Sequence, residues 1–193
     1  MGNSELDTSL LDNAIRFAVQ AHAGTERRGK GFPYIVHPLE AMAIVATMTS
    51  DQELLAAAAL HDILEDTDLT VEDLRKTFGD RIARIVEEES DTEFPGTHAA
   101  DSWHDRKRIA MQHLRTASPE AKIVALGDKR SNMRAIARDY ALQGDSLWNL
   151  FHVKDKESHA WHYRGLMDAL SSLDGTAAYD EFKRLVLQVF TDE

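Results

Sequence analysis

Residues 54–60 read LLAAAAL, and residues 61–67 directly after them read HDILEDT. The first segment is apolar on every side of a helix, which predicts a helix buried inside the protein. The second segment places one imidazole and three carboxylates at the end of that helix. Burying these charges without a partner is costly, so we expect a divalent cation to bind several of the carboxylates.

The spacing within the second segment predicts how its side chains are arranged. Residues four apart lie on one face of a helix. A continuous helix over residues 52–65 therefore puts Glu65 one turn beyond His61 and Asp66 one turn beyond Asp62. We expect the two pairs to face the same pocket, around a bound metal ion.

Composition and charge limit the class of protein. The chain has 193 residues, a net charge of −11 and no cysteine. This length predicts a single domain spanning residues 1–193. Without cysteine there are no disulfides or thiolate ligands, and no signal peptide is visible, so we expect a cytoplasmic protein.

The same properties bear on the binding partners. The longest apolar run is too short to span a bilayer, and the negative charge argues against nucleic acid or a membrane surface as partner. A small anionic substrate remains compatible, because a few cations or a metal can reverse the field inside one cleft.

The apolar residues follow a helical period through nearly the whole chain, and no segment alternates as a strand would. We predict an all-α bundle of about eight to ten helices. Pro38 is predicted as the first residue of a second helix, since its missing N–H has no partner there. Thr70 and Asp73 are typical of a capping box, Gly79 ends that short helix, and residues 118–119 (Ser-Pro) begin a later helix.

Two histidines and two aspartates from three helical segments are candidate metal ligands: His37, His61, Asp62 and Asp128. Such a set suits Mn, Fe, Zn or Mg. Considered alone, His37 is equally compatible with a histidine bonded to a carbonyl at a helix start. Asp128 alone is equally compatible with a buried acid paired with a nearby arginine. The four residues together favour a metal site.

Three segments carry a resemblance to a known family: AHAGTERRGKGFPYIVHPLEA (21–41), AAAALHDILEDTDLTVEDLRKTFGDRIARIVEEES (56–90) and AKIVALGDKRSNM (121–133). They resemble the HD-domain metal-dependent phosphohydrolases of the RelA/SpoT type, and the chain is similar to stand-alone small alarmone hydrolases of the Mesh1 type. The resemblance rests on the motif set HP…HDxxED…DKxxN. It implies hydrolysis of the 3′-pyrophosphate of the alarmones ppGpp and pppGpp, to GDP or GTP and pyrophosphate, as in the stringent response.

The resemblance also implies roles for individual residues. The implied ligands of one metal ion, typically Mn²⁺ in this family, are His37, His61, Asp62 and Asp128. The implied catalytic pair is Glu65 and Asp66, beside the metal and its water. These roles agree with general chemistry, because a metal lowers the pKa of water and a neighbouring carboxylate can orient that water or accept its proton.

Four further residues are candidates for binding the nucleotide substrate. Arg27 and Arg28 match the basic pair of the family, and guanidinium groups bind phosphate oxygens in a bidentate fork. Asn132 matches the asparagine that bonds the nucleotide. Tyr34 is compatible with stacking on the base and with simple packing, while Lys129 is equally compatible with the surface and with the site.

The chain departs from the family at two positions. Glu93 stands where relatives carry a lysine, and a longer loop over residues 94–100 follows it. Loss of this cation predicts weaker or altered phosphate binding, with Lys107 or Arg106 as possible replacements. Gly127 stands where alanine is usual, and we expect only looser packing from it.

Two other functions remain open. The same chemistry could act on another nucleotide, for example as an NADPH 2′-phosphatase. A non-catalytic alarmone-binding module is expected to lack a ligand or a catalytic acid, and none of the six is missing from this chain.

Overall fold

A computed structural model describes residues 6–90 and 102–191. The described part contains two short 3₁₀ segments, Gly144–Leu150 and Ser171–Leu173, and no β-sheet. Its α-helices are α1 (Ser9–Ala21), α2 (Val36–Val45), α3 (Gln52–Leu60), α4 (Ile63–Asp66), α5 (Val71–Phe78), α6 (Asp80–Glu89), α7 (Trp103–Thr116), α8 (Pro119–Gln143), α9 (Lys156–Ala169) and α10 (Ala177–Val189). The predicted all-α fold is confirmed, and its helix count lies within the predicted range.

Helix α3 lies at the centre of the first half of the chain. It packs against α1, α2, α6 and α8. Ala56–Leu60 are completely inaccessible to solvent, so the predicted burial of this helix is confirmed. Four consecutive alanines let neighbouring helices approach closely, and the Asp51 carboxylate caps the helix by accepting from the Glu53 N–H at 3.0 Å.

The predicted continuous helix from α3 through Glu65 is wrong, because the chain turns between α3 and α4. The His61 Nδ1 lies 2.9 Å from the Ala58 carbonyl oxygen, which would accept the Asp62 N–H in a continuous helix. A new turn then begins, with the Asp66 N–H donating to the Asp62 carbonyl at 2.9 Å. His61 and Asp62 are buried at this corner, whereas Glu65 and Asp66 are exposed, so the four do not form one buried cluster.

Helix α8 connects the two hydrophobic cores of the described structure. It packs most extensively against α2 and α10, and also against α3 and α6. Val124 belongs to the core formed by α1 to α6, while Leu126 belongs to the core that α8 shares with α9 and α10. Ser118 caps the helix by accepting the Ala121 N–H at 3.2 Å. This position places the middle of α8 beside α2 and α3.

Helix α2 begins two residues earlier than the sequence predicts. It starts at Val36, so Pro38 is its third residue. The N–H groups of the whole first turn lack helical partners, so proline is tolerated there as well as at the first position. The predicted capping box is present, with Thr70 and Asp73 bonded reciprocally and Gly79 ending α5.

Gly127 allows α8 to approach α2 closely. A Cβ atom at this position would lie 2.7 Å from Val45 Cγ2 and 2.8 Å from the Ala41 carbonyl oxygen. Both distances are too short for a real contact. The expectation that Gly127 merely loosens the packing is therefore wrong, since glycine is what lets these two helices meet.

The Gly127→Ala substitution is expected to destabilise the protein by roughly 1 kcal/mol. Overpacking costs about 1–3 kcal/mol and alanine regains roughly 1 kcal/mol through helix propensity, so a net loss centred on about 1 kcal/mol remains. Urea unfolding measures the difference. A variant more stable than the wild type would show that helix propensity dominates and that the close approach is unimportant.

None of the helices in the described residues is long and apolar enough to cross a membrane. The assignment of residues 1–193 to one domain stays a prediction.

Candidate metal centre and adjoining cavity

Three candidate ligands meet between α2, α3 and α8. His37, His61 and Asp128 each offer a ligand atom within 4.8 Å of the other two, and all three are buried. Asp128 Oδ1 lies 3.0 Å from His37 Nε2 and 3.6 Å from His61 Nε2. Asp62 borders the group, with its Oδ2 3.0 Å from His61 Nε2 and 3.5 Å from His37 Nε2. The fold thus brings all four predicted ligands together.

Hydrogen bonds on the far side of each imidazole determine which nitrogen faces this group. His61 Nδ1 lies against the Ala58 carbonyl, an acceptor, so Nδ1 carries the hydrogen. His37 Nδ1 lies 2.9 Å from Ser131 Oγ, whose hydroxyl donates to Glu40 Oε2 at 2.9 Å. Ser131 therefore accepts from His37, and both histidines direct Nε2 towards the aspartates, as metal-binding histidines do.

The donor set fits a divalent cation. His61 Nε2 is buried and makes no hydrogen bond within the described part of the chain, although carboxylate oxygens surround it. Burial lowers the pKa of His61, but the Asp62 and Asp128 charges outweigh burial and raise the pKa well above its ordinary value. The space between His61 Nε2 and the two aspartates therefore attracts positive charge. Two imidazoles and two carboxylates suit a borderline or hard divalent metal.

Asp128 is oriented by groups beyond the ligand set. Asn132 Nδ2 donates to Asp128 Oδ1 at 2.5 Å. Lys129 Nζ donates to Asp128 Oδ2, and also to Glu89 Oε1 at 2.9 Å. The sequence was equally compatible with a surface position and a site position for Lys129. The structure shows that Lys129 contacts a candidate metal ligand.

Glu89, the last residue of α6, has no role that was predicted from the sequence. Its side chain is 1% exposed. Burial raises the pKa of the Glu89 carboxyl above its ordinary value, and the Lys129 ammonium opposes this rise. The helical spacing of the sequence could have predicted that Glu89 is buried. Four residues form one buried stripe that ends in an acid: Ile82, Ile85, Val86 and Glu89.

Tyr34 binds a candidate metal ligand through its hydroxyl. The hydroxyl donates to Asp62 Oδ2 at 2.7 Å. Burial and the Asp62 charge raise the pKa of Tyr34, so it remains a neutral donor. The Arg27 guanidinium lies over the ring, 5.1 Å from its centroid, and also donates to Asn132 Oδ1. Tyr34 therefore has a polar role that neither stacking on a base nor simple packing describes.

A cavity of about 340 Å³ adjoins this site. All four predicted substrate-binding residues line it: Arg27, Arg28, Tyr34 and Asn132. Asp66 also lines it, whereas Glu65 is exposed on α4, one residue earlier. Although Asp66 retains contact with solvent, partial burial and the Asp62 charge raise the pKa of its carboxyl, which favours proton uptake. The cavity thus combines cationic side chains with a carboxylate of raised pKa.

Part of the cavity lining is apolar and was not predicted from the sequence. The residues that form it are Ile136, Leu147, Leu150, Phe151 and Tyr163. Lys30, paired with Asp139, contributes a further cation. These residues come from a loop, α8, the following 3₁₀ segment and α9, so their convergence depends on the tertiary structure. Glu93 and the 94–100 loop lie outside the described residues.

Ser131→Ala is expected to weaken divalent-metal binding about tenfold, because it removes the acceptor that fixes His37. Titration calorimetry with Mn²⁺ on the metal-free protein measures the change. Ser146→Ala is a suitable control, because its hydroxyl is exposed and bonds the Gln143 carbonyl. Unchanged metal affinity in Ser131→Ala would show that Ser131 does not orient His37 for metal binding.

Comparison with known proteins identifies the class to which this fold and site belong. The model of the HD domain family matches residues 14–153, and the chain belongs to this family. The structure of a metazoan SpoT ortholog that hydrolyses ppGpp superimposes with a TM-score of 0.74, covering 97% of this chain and 100% of that chain. At 23% sequence identity this match supports the fold alone.

Relatives within the family make the resemblance to the Mesh1 type specific. The chain is 35% identical over 135 residues to the zebrafish (Danio rerio) guanosine-3′,5′-bis(diphosphate) 3′-pyrophosphohydrolase MESH1, covering 68% of this chain and 71% of the relative. It is 36% identical over 131 residues to the bifunctional (p)ppGpp synthase/hydrolase SpoT of Escherichia coli K12, covering 65% of this chain and 18% of SpoT. The predicted similarity to Mesh1-type proteins is confirmed.

Proposed function

We propose that the protein is a metal-dependent alarmone hydrolase that removes the 3′-pyrophosphate of ppGpp or pppGpp and releases GDP or GTP with pyrophosphate. The observation that carries this proposal is a two-histidine, two-aspartate centre directly beside a cation-lined cavity. The 3′-pyrophosphohydrolase activity of the MESH1 relative and the (p)ppGpp synthase/hydrolase activity of SpoT support the choice of substrate.

Mn²⁺ is the proposed metal, bound by His37, His61, Asp62 and Asp128. A nitrogen and oxygen donor set without cysteine supports a metal of this kind. When bound, the metal would act as a Lewis acid on the phosphoryl group and lower the pKa of water.

The chain's own residues bind and orient the nucleotide in this proposal. Arg27 and Arg28 bind phosphate oxygens, and Asn132 provides an amide beside Asp128. The apolar part of the cavity lining suits the base, since nucleotide pockets combine apolar surface with a few polar groups. Glu65 and Asp66 orient the attacking water and accept its proton.

The cellular setting follows from the same proposal. Hydrolysis of alarmones would place the protein in the stringent response, and the absence of cysteine supports a reducing compartment such as the cytoplasm.

A substrate panel tests the proposed function. Specificity constants for ppGpp, pppGpp, GTP and NADPH with Mn²⁺ compare the transition-state binding of each substrate. We expect the two alarmones to give the highest values. A higher specificity constant for NADPH would contradict the proposal and indicate that the protein is an NADPH phosphatase.

Arg27→Ala is expected to lower kcat/KM for ppGpp about 10–100-fold, because a charge-assisted hydrogen bond contributes roughly 1.5–3 kcal/mol. Steady-state kinetics measure the loss. Arg108→Ala is the matched control, since this arginine is exposed on α7 and pairs with Asp105. Equal kinetics in the two variants would exclude Arg27 from phosphate binding.

A further inference from the structure

A chain of hydrogen bonds lies behind His37, on the side away from the aspartates. His37 Nδ1 lies 2.9 Å from Ser131 Oγ, and the Ser131 hydroxyl donates to Glu40 Oε2 at 2.9 Å. Arg134 Nη1 donates to the other carboxylate oxygen, Glu40 Oε1, at 3.1 Å. His37 and Ser131 are buried, whereas the Glu40 side chain is 38% exposed. A candidate metal ligand is thus connected through a buried serine to a carboxylate near the surface.

The direction of these hydrogen bonds follows from what each group can donate. A carboxylate paired with an arginine only accepts, and a serine hydroxyl has a single hydrogen. Because Ser131 donates that hydrogen to Glu40, its oxygen is left to accept from His37 Nδ1. A neutral imidazole carries one hydrogen, so a hydrogen on Nδ1 leaves Nε2 bare. A bare ring nitrogen is what a metal ion binds.

Without Glu40, the hydrogen of Ser131 is released to point at His37. The hydroxyl can then donate to Nδ1, and the one hydrogen of the neutral ring moves to Nε2. Asp128 favours this second form, because its Oδ1 lies 3.0 Å from His37 Nε2 and can accept that hydrogen. A hydrogen on Nε2 blocks the metal ligand. Glu40 therefore acts against a tautomer that the site itself would otherwise stabilise in the absence of metal.

We propose that Glu40 is a positioning residue of the metal centre, which accepts the Ser131 hydrogen and so keeps His37 in the tautomer that binds metal. The inference rests on the metal-binding part of the proposed function and is independent of the substrate. Two other roles are the alternatives: an ion pair with Arg134 that joins α2 to α8, and a general attraction of the Glu40 charge for a cation. An ion pair as exposed as this one contributes little to stability.

Three substitutions separate these roles. Arg134→Met breaks the ion pair and leaves the bond between Ser131 and Glu40 intact. Glu40→Gln removes the charge but keeps an oxygen that can accept from Ser131, since Arg134 has Glu181 as a second partner. Glu40→Met removes the charge, the ion pair and the acceptor together, at similar side-chain length.

Titration of the metal-free protein with Mn²⁺ by calorimetry tests the proposal. Glu40→Met is expected to weaken Mn²⁺ binding about threefold to tenfold, because Glu40 acts one step beyond the groups whose loss costs roughly 10–100-fold. Glu40→Gln and Arg134→Met are each expected to stay within about twofold of the wild type. Adding Glu40→Met to Ser131→Ala is expected to cause no further loss, because residues that act through one path are not additive.

Four results would overturn the inference. These are wild-type affinity in a folded Glu40→Met protein, an equal loss in Glu40→Gln, an equal loss in Arg134→Met, or a further loss when Glu40→Met is added to Ser131→Ala. If the methionine variant does not fold, Glu40→Ala removes the same acceptor and gives the same comparisons. A wild-type protein that binds no Mn²⁺ would contradict the proposed metal site as well, whereas normal wild-type binding with unaffected variants contradicts only the role of Glu40.

Discussion

Glu65→Gln and Asp66→Asn are each expected to lower kcat for ppGpp hydrolysis about 100–10,000-fold, the usual contribution of a general acid or base. Mn²⁺ affinity should stay near the wild-type value, because neither residue belongs to the group of candidate ligands around His37. A large effect of Asp66→Asn is expected because Asp66 lines the cavity and the pKa of its carboxyl is raised.

Single-turnover kinetics with metal-saturated protein measure this effect. Asp68→Asn is the control, because Asp68 is an exposed acid two residues beyond Asp66. Full activity in both Glu65→Gln and Asp66→Asn would contradict the catalytic assignment. Loss of Mn²⁺ binding in these variants would indicate that Glu65 or Asp66 binds the metal.

His61→Ala is expected to abolish both stoichiometric metal binding and hydrolysis. Because His61 Nε2 is proposed to bind the metal directly, the loss should exceed the roughly 10–100-fold that follows removal of a group beyond the ligands. The substitution also leaves Asp62 and Asp128 buried without the imidazole that faces them. Metal content of the purified protein and turnover of ppGpp are the two measurements.

His113→Ala provides the comparison for that variant. This histidine is exposed on α7, and its removal should change neither metal content nor rate. Wild-type metal content in a folded His61→Ala protein would exclude the predicted centre. Circular dichroism establishes that the variant is folded.

Local patterns in the sequence predicted the helical fold and named the residues that the fold brings together at the candidate metal centre, while the catalytic and nucleotide-binding roles came from the family resemblance and stay predictions. The apolar run of α3 required burial, and Thr70 with Asp73 marked the start of α5. The four candidate ligands were named because their residue types suit a metal, and the fold brings them together.

The remaining features depend on contacts that sequence spacing does not encode. At the turn after α3, the His61 side chain bonds the Ala58 carbonyl that a continuous helix would use, a contact between side chain and backbone that helical spacing does not predict. The role of Gly127 depends on how closely α8 approaches α2. The apolar cavity wall comes from segments that are distant in sequence, and Glu89 becomes informative only when Lys129 lies beside it.

Product identification with the metal-loaded protein tests the central claim most directly. The Mn²⁺-loaded wild type is incubated with ppGpp, and the products are quantified by anion-exchange chromatography. The account predicts GDP and pyrophosphate in a one-to-one ratio, and no turnover after the metal is removed with a chelator. Release of orthophosphate in place of pyrophosphate, or no hydrolysis by fully loaded protein, would contradict it.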